Sequence, residues 1–505
     1  MNRNSSLQAL RTVPHWDLVI IGGGATGLGA AVDAASRGLK TLLIEQYDFG
    51  KGSSSRSTKL VHGGVRYLQQ GNIKLVREAL RERGYLLRNA PHLTSVQPFI
   101  VPTFRWWEKI YYALGLMIYD LLAGKLSLGK TQILSRQSLL EKMPAIRHHQ
   151  LKGGVLYFDG QFDDSRLCID LAVTATEHGA VLLNYGRADG FQKEEGKITG
   201  VHLTDLFTQQ SYTIRARAVI NATGIFTDNI LQMDDARLHH IITPSQGIHL
   251  VVSPRFFPGA YAMMIPKTDD GRVLFAVPWH GEVVIGTTDT PVDKIIAEPL
   301  PLEEEISFLL KHINRYTNRA IERKDVKAVF AGLRPLVRVP NQHQTSVLSR
   351  DHTLLVARSG LISITGGKWT TYRKMAEDAV NKAIAVTDLP PTACRTKDLP
   401  LGKPGARMEW LKEQILHEPE TGERLSPELP YTMADWLYAI KFEMAMTVED
   451  LLARRTRILF LDAKAAIELA PAAAEILAKV HGWPDTYQQE QVEDFVQLAA
   501  GYLLG

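Results

Sequence analysis

Asp17-Leu-Val-Ile-Ile21 runs straight into Gly22-Gly-Gly-Ala-Thr-Gly27, and no other segment of the 505-residue chain constrains its fold as much. The run before the glycines is apolar and β-branched. Leu28 to Arg37 after them reads as a helix ended by Gly38, and a second apolar run, Lys40–Ile44, closes on Glu45. Strand, glycine turn, helix and strand in so few residues make a βαβ unit. Gly22 permits the tight turn, Gly24 lets main chain approach a pyrophosphate, and Gly27 lets helix pack on strand. Ala25 and Thr26 open the helix, whose unpaired N–H groups carry partial positive charge. Glu45, 18 residues after Gly27, stands where a carboxylate would accept hydrogen bonds from a ribose. A dinucleotide-binding unit is the reading.

Composition narrows the class. Hydrophobic residues make up 45% and charged residues 22%, as in ordinary globular proteins, so a disordered or fibrous chain is excluded. The length suggests about three domains at roughly 150 residues each. Two cysteines, Cys168 and Cys394, cannot build a disulfide framework, a four-cysteine zinc site or an iron–sulfur ligand set, and no metal site is expected. A reducing compartment is the natural expectation. A net charge of +4 makes no case for nucleic acid. Met1 to His15 is polar and lacks a signal-peptide core, and no apolar run reaches the roughly 18 residues that a spanning helix needs.

Later segments supply the other domains. Asn72–Asn89 has helical spacing. Ile248–Val252, Tyr261–Ile265, Val273–Val277 and Val283–Gly286 read as an antiparallel sheet, the last two joined across His280-Gly281. From about Leu389 the chain is rich in Ala and Leu, with helical runs at Thr447–Leu461 and Ala463–Val480. A nicotinamide enzyme would build a second mononucleotide half directly after the first. Here the chain passes instead into Gly52-Ser-Ser-Ser-Arg-Ser-Thr-Lys59 and His62-Gly-Gly-Val-Arg-Tyr67. Two further strands end in small turns: Ala218 to Gly224, closing on Ala222-Thr223-Gly224, and Leu361 to Gly367, closing on Gly366-Gly367 before the helical Lys368–Ala385. Together these stretches look like an FAD domain assembled from separated parts. The N-terminus of the last helix could stabilise the electron-rich edge of a reduced flavin.

With Ala331-Gly-Leu-Arg-Pro-Leu336, Ser349-Arg-Asp351 and Gly366-Gly-Lys-Trp-Thr-Thr-Tyr-Arg373 added, the sequence resembles FAD-dependent glycerol-3-phosphate dehydrogenase over essentially its whole length. The resemblance implies an α/β fold: a Rossmann-like FAD-binding domain of the glutathione-reductase and D-amino-acid-oxidase type, with an antiparallel-sheet substrate domain and an all-helical C-terminal domain. The expected partition is 1–90, 150–240 and 330–388 for flavin, 91–149 and 241–329 for substrate, and 389–505 for the helices. It further implies oxidation of sn-glycerol 3-phosphate to dihydroxyacetone phosphate, with electrons passing through FAD to a membrane quinone at the inner face of the cytoplasmic membrane. The protein is then expected in the cytoplasm, attached there peripherally, and a homodimer is left open.

Carried over by position, the cofactor would meet Gly22, Gly24, Ala25, Thr26, Gly27 and Glu45. It would also meet Ser54, Ser55, Thr58, Lys59, His62, Gly63 and Gly64, then Ala222, Thr223, Gly224, Gly366, Gly367, Lys368, Trp369 and Thr370. Arg66, Arg334, Arg350, Lys368 and Arg373 all lie in or beside these turns, and several cations would neutralise a phosphate dianion. Taken singly, each is more commonly a surface charge or a structural ion pair. The resemblance assigns substrate binding to Arg334 and Lys368, with Arg66, Arg350 and Tyr67 nearby, and makes both catalytic alongside His249, the candidate base. The alternative for His249 is a satisfied core histidine; His62 is its competitor, and Asp289 is a cap or ion-pair partner as readily as a site residue.

Phe104 to Leu122 is the other unusual stretch. Its two tryptophans and three tyrosines, flanked by Arg105, Lys109, Lys125 and Lys130, suit a membrane interface, against the alternative of a buried helix over the sheet. Three rival functions stay open: an oxidase passing electrons to oxygen, an amine-oxidising flavoenzyme of the same fold, and a flavin-bound scaffold protein.

Overall fold

A computed structural model describes residues 1–69, 71–338 and 352–504, with the side chains of all of these but Arg66 and Gln69. The glycine-turn unit is the centre of the first sheet. Trp16–Ile21 lies parallel to Thr41–Ile44 on one side and to Ser211–Asn221 on the other. Val181–Leu183 and Ile362–Gly366 extend the parallel run outward, and His352–Val356 adds an antiparallel edge. Leu18–Ile21 and Leu42–Ile44 at its centre are unbroken apolar runs because both faces are covered. The helices Ala25–Ser36, Asp164–Glu177 and Tyr372–Val386 pack on one face. The N-terminal helix Arg3–Thr12, the helix Thr227–Asp234 and the hairpin Gly186–Glu194/Lys197–Asp205 cover the other.

The second sheet has ten strands among the described residues. Ile242–Val252 pairs along its length with Val326–Val337 and, on its other edge, with Glu282–Gly286. Leu274–Trp279, Ala262–Ile265, Thr94–Thr103 and Gly153–Phe162 follow in order. The hairpin at His280-Gly281 forms as the sequence suggests, with both residues at positive φ (47° and 85°). Two expectations need correction. Ala262–Ile265 runs parallel to Thr94–Thr103, so the sheet is mixed rather than purely antiparallel. Leu60–Val61, Gly153–Phe162 and residues 330–337 of the strand Val326–Val337, assigned on sequence grounds to the flavin unit, belong to this sheet. An apolar run announces a strand but not which sheet it joins, since long-range pairing decides that.

The C-terminal helices lie against the second sheet. Ala463–His481 buries Ala466, Ala470, Ala473, Ala474 and Leu477, in one core with Val251, Val284, Ala328 and Phe330. Where a continuous helix over Thr447–Leu461 was expected, a π-helical turn spans Asp450–Arg455 and a short α-helix Ile458–Leu461 follows. The wider turn sends neighbouring arginines inward together. Arg454 Nε donates to Asp48 at 2.6 Å, and Arg455 donates to both Asp48 oxygens at 2.7 and 2.9 Å. Arg457 donates to the Ser55 carbonyl at 2.8 Å and to Asp164 at 3.2 Å. Burial pushes the Asp48 carboxyl up, but Arg455 and Arg454 outweigh it and hold the group well below the usual carboxylate range.

Replacing Asp48 by Ala removes the carboxylate that Arg455 and Arg454 share, leaving Arg454 to Glu449 and Asp450 and Arg455 to the Glu443 carbonyl, and should cost about 3 kcal/mol. The expected result is a clearly lower thermal unfolding midpoint of the flavin-loaded protein. An unchanged midpoint would show that the arginines find other acceptors.

Candidate active site

A cavity of about 680 Å³ runs from the glycine turn of the first sheet to the inner strands of the second. At its first end the main chain approaches bare. A Cβ on Gly22 (φ +110°) would sit 2.7 Å from the Ala222 carbonyl oxygen, and one on Gly27 would sit 1.9 Å from that of Gly22. Gly22, Gly24, Ala25 and Thr26 line the cavity with Ala222-Thr223-Gly224 and Gly366-Gly367, so turns from three parallel strands converge at their carboxyl ends. That cradle fits a dinucleotide pyrophosphate. Glu45 lines it too, accepting from the Gly23 N–H at 2.6 Å and the Tyr47 N–H at 2.8 Å. Burial pushes its pKa up, and those two N–H groups oppose the shift.

The Ser-rich segment closes over this end. Ser54 Oγ accepts from the Ala25 N–H at 2.9 Å, and the Ser54 carbonyl accepts from Trp369 Nε1 at 2.7 Å. Thr370 Oγ1 bonds the His62 N–H and carbonyl, both at 3.1 Å, which ties the His62 turn to the start of the last helix. Five residues expected to meet the cofactor do not line the cavity. Gly27 serves helix packing, and Gly63 donates its N–H to Tyr119 at 2.7 Å. The Ser55 carbonyl receives the Lys59 ammonium at 2.8 Å, and Lys59 also binds Asp164 at 2.8 Å. Burial pulls the Lys59 pKa down to about 7 against the opposing charge of Asp164. Gly64 lies behind the wall, where a Cβ would meet the Tyr67 ring at 2.3 Å.

At the other end stand the expected chemical groups. Arg334 Nη2 donates to Thr287 Oγ1 at 3.0 Å and to the Thr288 carbonyl at 2.9 Å, and Nη1 donates to the Gln246 carbonyl at 3.2 Å. Asp289 lies 3.6 Å away as its ion-pair partner and also accepts from Ser245. His249 Nε2 is 2.9 Å from Thr58 Oγ1, and its ring stacks on Phe330 with centroids 4.8 Å apart. Burial, then the charges of Lys59 and Arg334, hold the imidazole pKa well below its ordinary value, so it is neutral near pH 7. Lys368 Nζ lies 4.3 Å from the centre of the Tyr67 ring. Tyr67 reaches the site through that contact and does not line the cavity. Arg373 turns away, bonded to Glu82 at 2.7 Å, so the structure assigns it an ion pair instead of the substrate. The Arg66 side chain and the whole of Arg350 lie outside the described residues.

Two glycines escaped the sequence reading. A Cβ on Gly247 would lie 2.2 Å from Arg334 Nη2, and one on Gly286 would lie 2.1 Å from His249 Cδ2. Glycine inside a strand marks close approach of something else. That signal was present at both positions.

Comparison with known proteins agrees with this geometry. A family model described as FAD dependent oxidoreductase matches residues 17–373, and one described as C-terminal domain of alpha-glycerophosphate oxidase matches 362–488. The chain is 40% identical to a mitochondrial glycerol-3-phosphate dehydrogenase of Macaca fascicularis, over 99% of this chain and 76% of that one. It is 40% identical to a probable mitochondrial glycerol-3-phosphate dehydrogenase of Caenorhabditis elegans, over 97% and 74%. The solved glycerol-3-phosphate dehydrogenase of Bacillus halodurans, complexed with FAD, superposes with a TM-score of 0.79 at 30% identity, covering 99% of this chain and 97% of that one. The chain belongs to the FAD-dependent glycerol-3-phosphate dehydrogenase family. An L-alpha-glycerophosphate oxidase of Mycoplasma pneumoniae shares the fold, with a TM-score of 0.60 at 16% identity over 75% of this chain. In this family member the turns of the first sheet form a cradle that fits FAD, and the strands of the second sheet carry the polar groups at its far end.

Gly247→Ala and Gly286→Ala test the packing directly, because the atoms they would strike are ends of side chains rather than backbone. Each should move one site group by about 1 Å and lower kcat/KM roughly 10–100-fold with flavin retained. Normal kinetics in both variants would show that Arg334 and His249 do not need these positions.

Proposed function

We propose that the chain oxidises sn-glycerol 3-phosphate to dihydroxyacetone phosphate and passes the electrons to a membrane quinone. The observation that carries the first half is Arg334, immobilised by Thr287, Thr288 and Gln246 in the same cavity as neutral His249 and Lys368. FAD, when bound, supplies the hydride acceptor. Arg334 and Lys368 hold the phosphate dianion, joined by Arg66 and Arg350, and so fix the orientation of C2. His249, kept neutral by burial and its two cationic neighbours, takes the hydroxyl proton while the C2 hydrogen leaves as hydride. The Thr58 hydroxyl orients the imidazole through Nε2.

The second half rests on the helix Trp106–Ala123. Ala113, Leu116, Tyr119 and Ala123 face inward, as the buried-helix reading required. Trp106, Trp107, Ile110, Tyr111, Leu114, Met117, Ile118 and Leu121 form one outward stripe, with Trp106 71% and Leu121 80% exposed. An apolar face of this kind supports seating in a lipid interface. No helix among the described residues is long and apolar enough to cross a membrane. Cytoplasmic placement at the inner membrane face is part of the same proposal.

Arg334→Ala removes a charge-assisted grip worth about 1.5–3 kcal/mol, so kcat/KM for sn-glycerol 3-phosphate should fall roughly 10–150-fold. The residual rate with glycerol should hardly change. Equal losses for the two substrates would take Arg334 out of the phosphate site. The pH profile tests His249: its basic form is the active one, and its depressed pKa places the acid limb of kcat/KM well below pH 6.5. A limb at or above 6.5 that disappears in His249→Gln would contradict the neutral-base assignment.

Trp106→Ser with Trp107→Ser should weaken sedimentation with anionic liposomes and leave reduction of a soluble dye nearly intact. Flavin release and aggregation would show that the stripe is instead part of the fold. After anaerobic bleaching by substrate, reoxidation by quinone but not by oxygen is expected; the reverse would make the chain an oxidase.

A further inference from the structure

The helix Ile73–Asn89 has an outer face that the flavin site does not use. Leu75, Val76, Ala79, Leu80 and Leu86 turn inward, and Lys74, Arg77 and Arg81 stand together on the exposed side. Across a groove of about 530 Å³ lie Lys397 and the first turns of the helix Tyr372–Val386. Most of the groove's other charges are committed to one another. Glu82 and Glu377 both bind Arg373, at 2.7 and 3.0 Å, and Lys374 binds Asp378 at 2.5 Å. Lys74, Arg77, Arg81 and Lys397 enter no ion pair among the described residues, and Glu78 is the one lining carboxylate equally uncommitted. A concave site is thus left with an excess of three positive charges, walled on one side by Tyr85.

Unpaired cations gathered in a cleft repel one another and focus a positive potential into it, which a multivalent anion relieves. Two guanidinium groups among the four match phosphate oxygens in pairs. The groove's volume is in the range of small-molecule sites. We propose that this groove is a second anion site, taking a multiply charged phosphorylated group, separate from the substrate phosphate site. The two cavities share no lining residue: Tyr372 and Met375 face the flavin cavity, and Arg373, Lys374 and Glu377 face the groove. A dissolved polyphosphate and the headgroup phosphates of an anionic lipid present the same chemistry. The lipid source has a route, because Val76 and Leu80 of the cationic helix pack against Tyr119 and Ala123 of the aromatic one.

Titration of the flavin-loaded protein with inorganic pyrophosphate, in the presence of saturating sn-glycerol 3-phosphate, tests the site. Saturable binding is expected, weakened at least tenfold in the double variant Arg77→Gln with Arg81→Gln, whose dye-reduction rate should match the parent. If pyrophosphate is silent but sedimentation with phosphatidylglycerol vesicles falls tenfold in the same variant, the phosphate is that of a lipid headgroup. The proposal is overturned if the double variant matches the parent in both assays. It is also overturned if sn-glycerol 3-phosphate displaces the bound pyrophosphate one for one.

Discussion

Two buried carboxylates, Asp48 and Asp164, hold the three layers of this molecule together. Asp48 follows the second strand of the glycine-turn unit and takes Arg454 and Arg455 from the C-terminal helices. Asp164 opens a helix on the first sheet and takes Arg457 from the same layer, together with Lys59 from the segment beside the flavin cradle. Buried charges are tolerable only when paired and hydrogen-bonded, so each guanidinium must sit where its carboxylate is. Register between the helical layer and the flavin segment follows from that requirement. The widened turn at Asp450–Arg455 is its local consequence.

The same segment transmits the constraint to the chemistry. Ser55 receives Arg457 and Lys59 through its carbonyl, Ser54 meets the first helix of the cradle, and Thr58 meets His249. The C-terminal layer therefore supports one wall of the cavity without lining it. On the opposite wall, Gly247 and Gly286 leave room for Arg334 and His249, and hydrogen bonds from Arg334 to the strand ends fix its plane. A charged group that serves a substrate must be held by neighbours that do not neutralise it. Two carbonyls and a hydroxyl, all neutral, meet that condition for Arg334 and take its direct hydrogen bonds, while Asp289 stands farther off at 3.6 Å.

Charge is arranged in opposite ways on the two sides of the helix Tyr372–Val386. On the flavin side, cations stand among backbone acceptors and aromatic rings. On the outer side, Arg373 is spent on Glu82 and Glu377 and Lys374 on Asp378, while Lys74, Arg77, Arg81 and Lys397 enter no ion pair among the described residues. Arg373 had looked like one more substrate cation from its place in the Gly366–Arg373 motif. One step of about 100° around a helix puts adjacent residues on different faces, and motif proximity carries no information about that step.

What the sequence determined by itself is the local part. Glycines that need positive φ or close approach, apolar runs before them and an acid after the second strand established the βαβ unit, its dinucleotide and the positions of the turns. These signals are legible because each residue answers to neighbours a few positions away. Tertiary structure alone decided the rest: that Gly153–Phe162 and Val326–Val337 join the second sheet, that Ser55 meets buried Arg457 and Lys59 meets buried Asp164 instead of the cavity, and that Gly247 and Gly286 shape the pocket for Arg334 and His249. Each depends on pairing between segments distant in sequence, where the cost of burying a charge or fitting a side chain is set by a partner that no local pattern names.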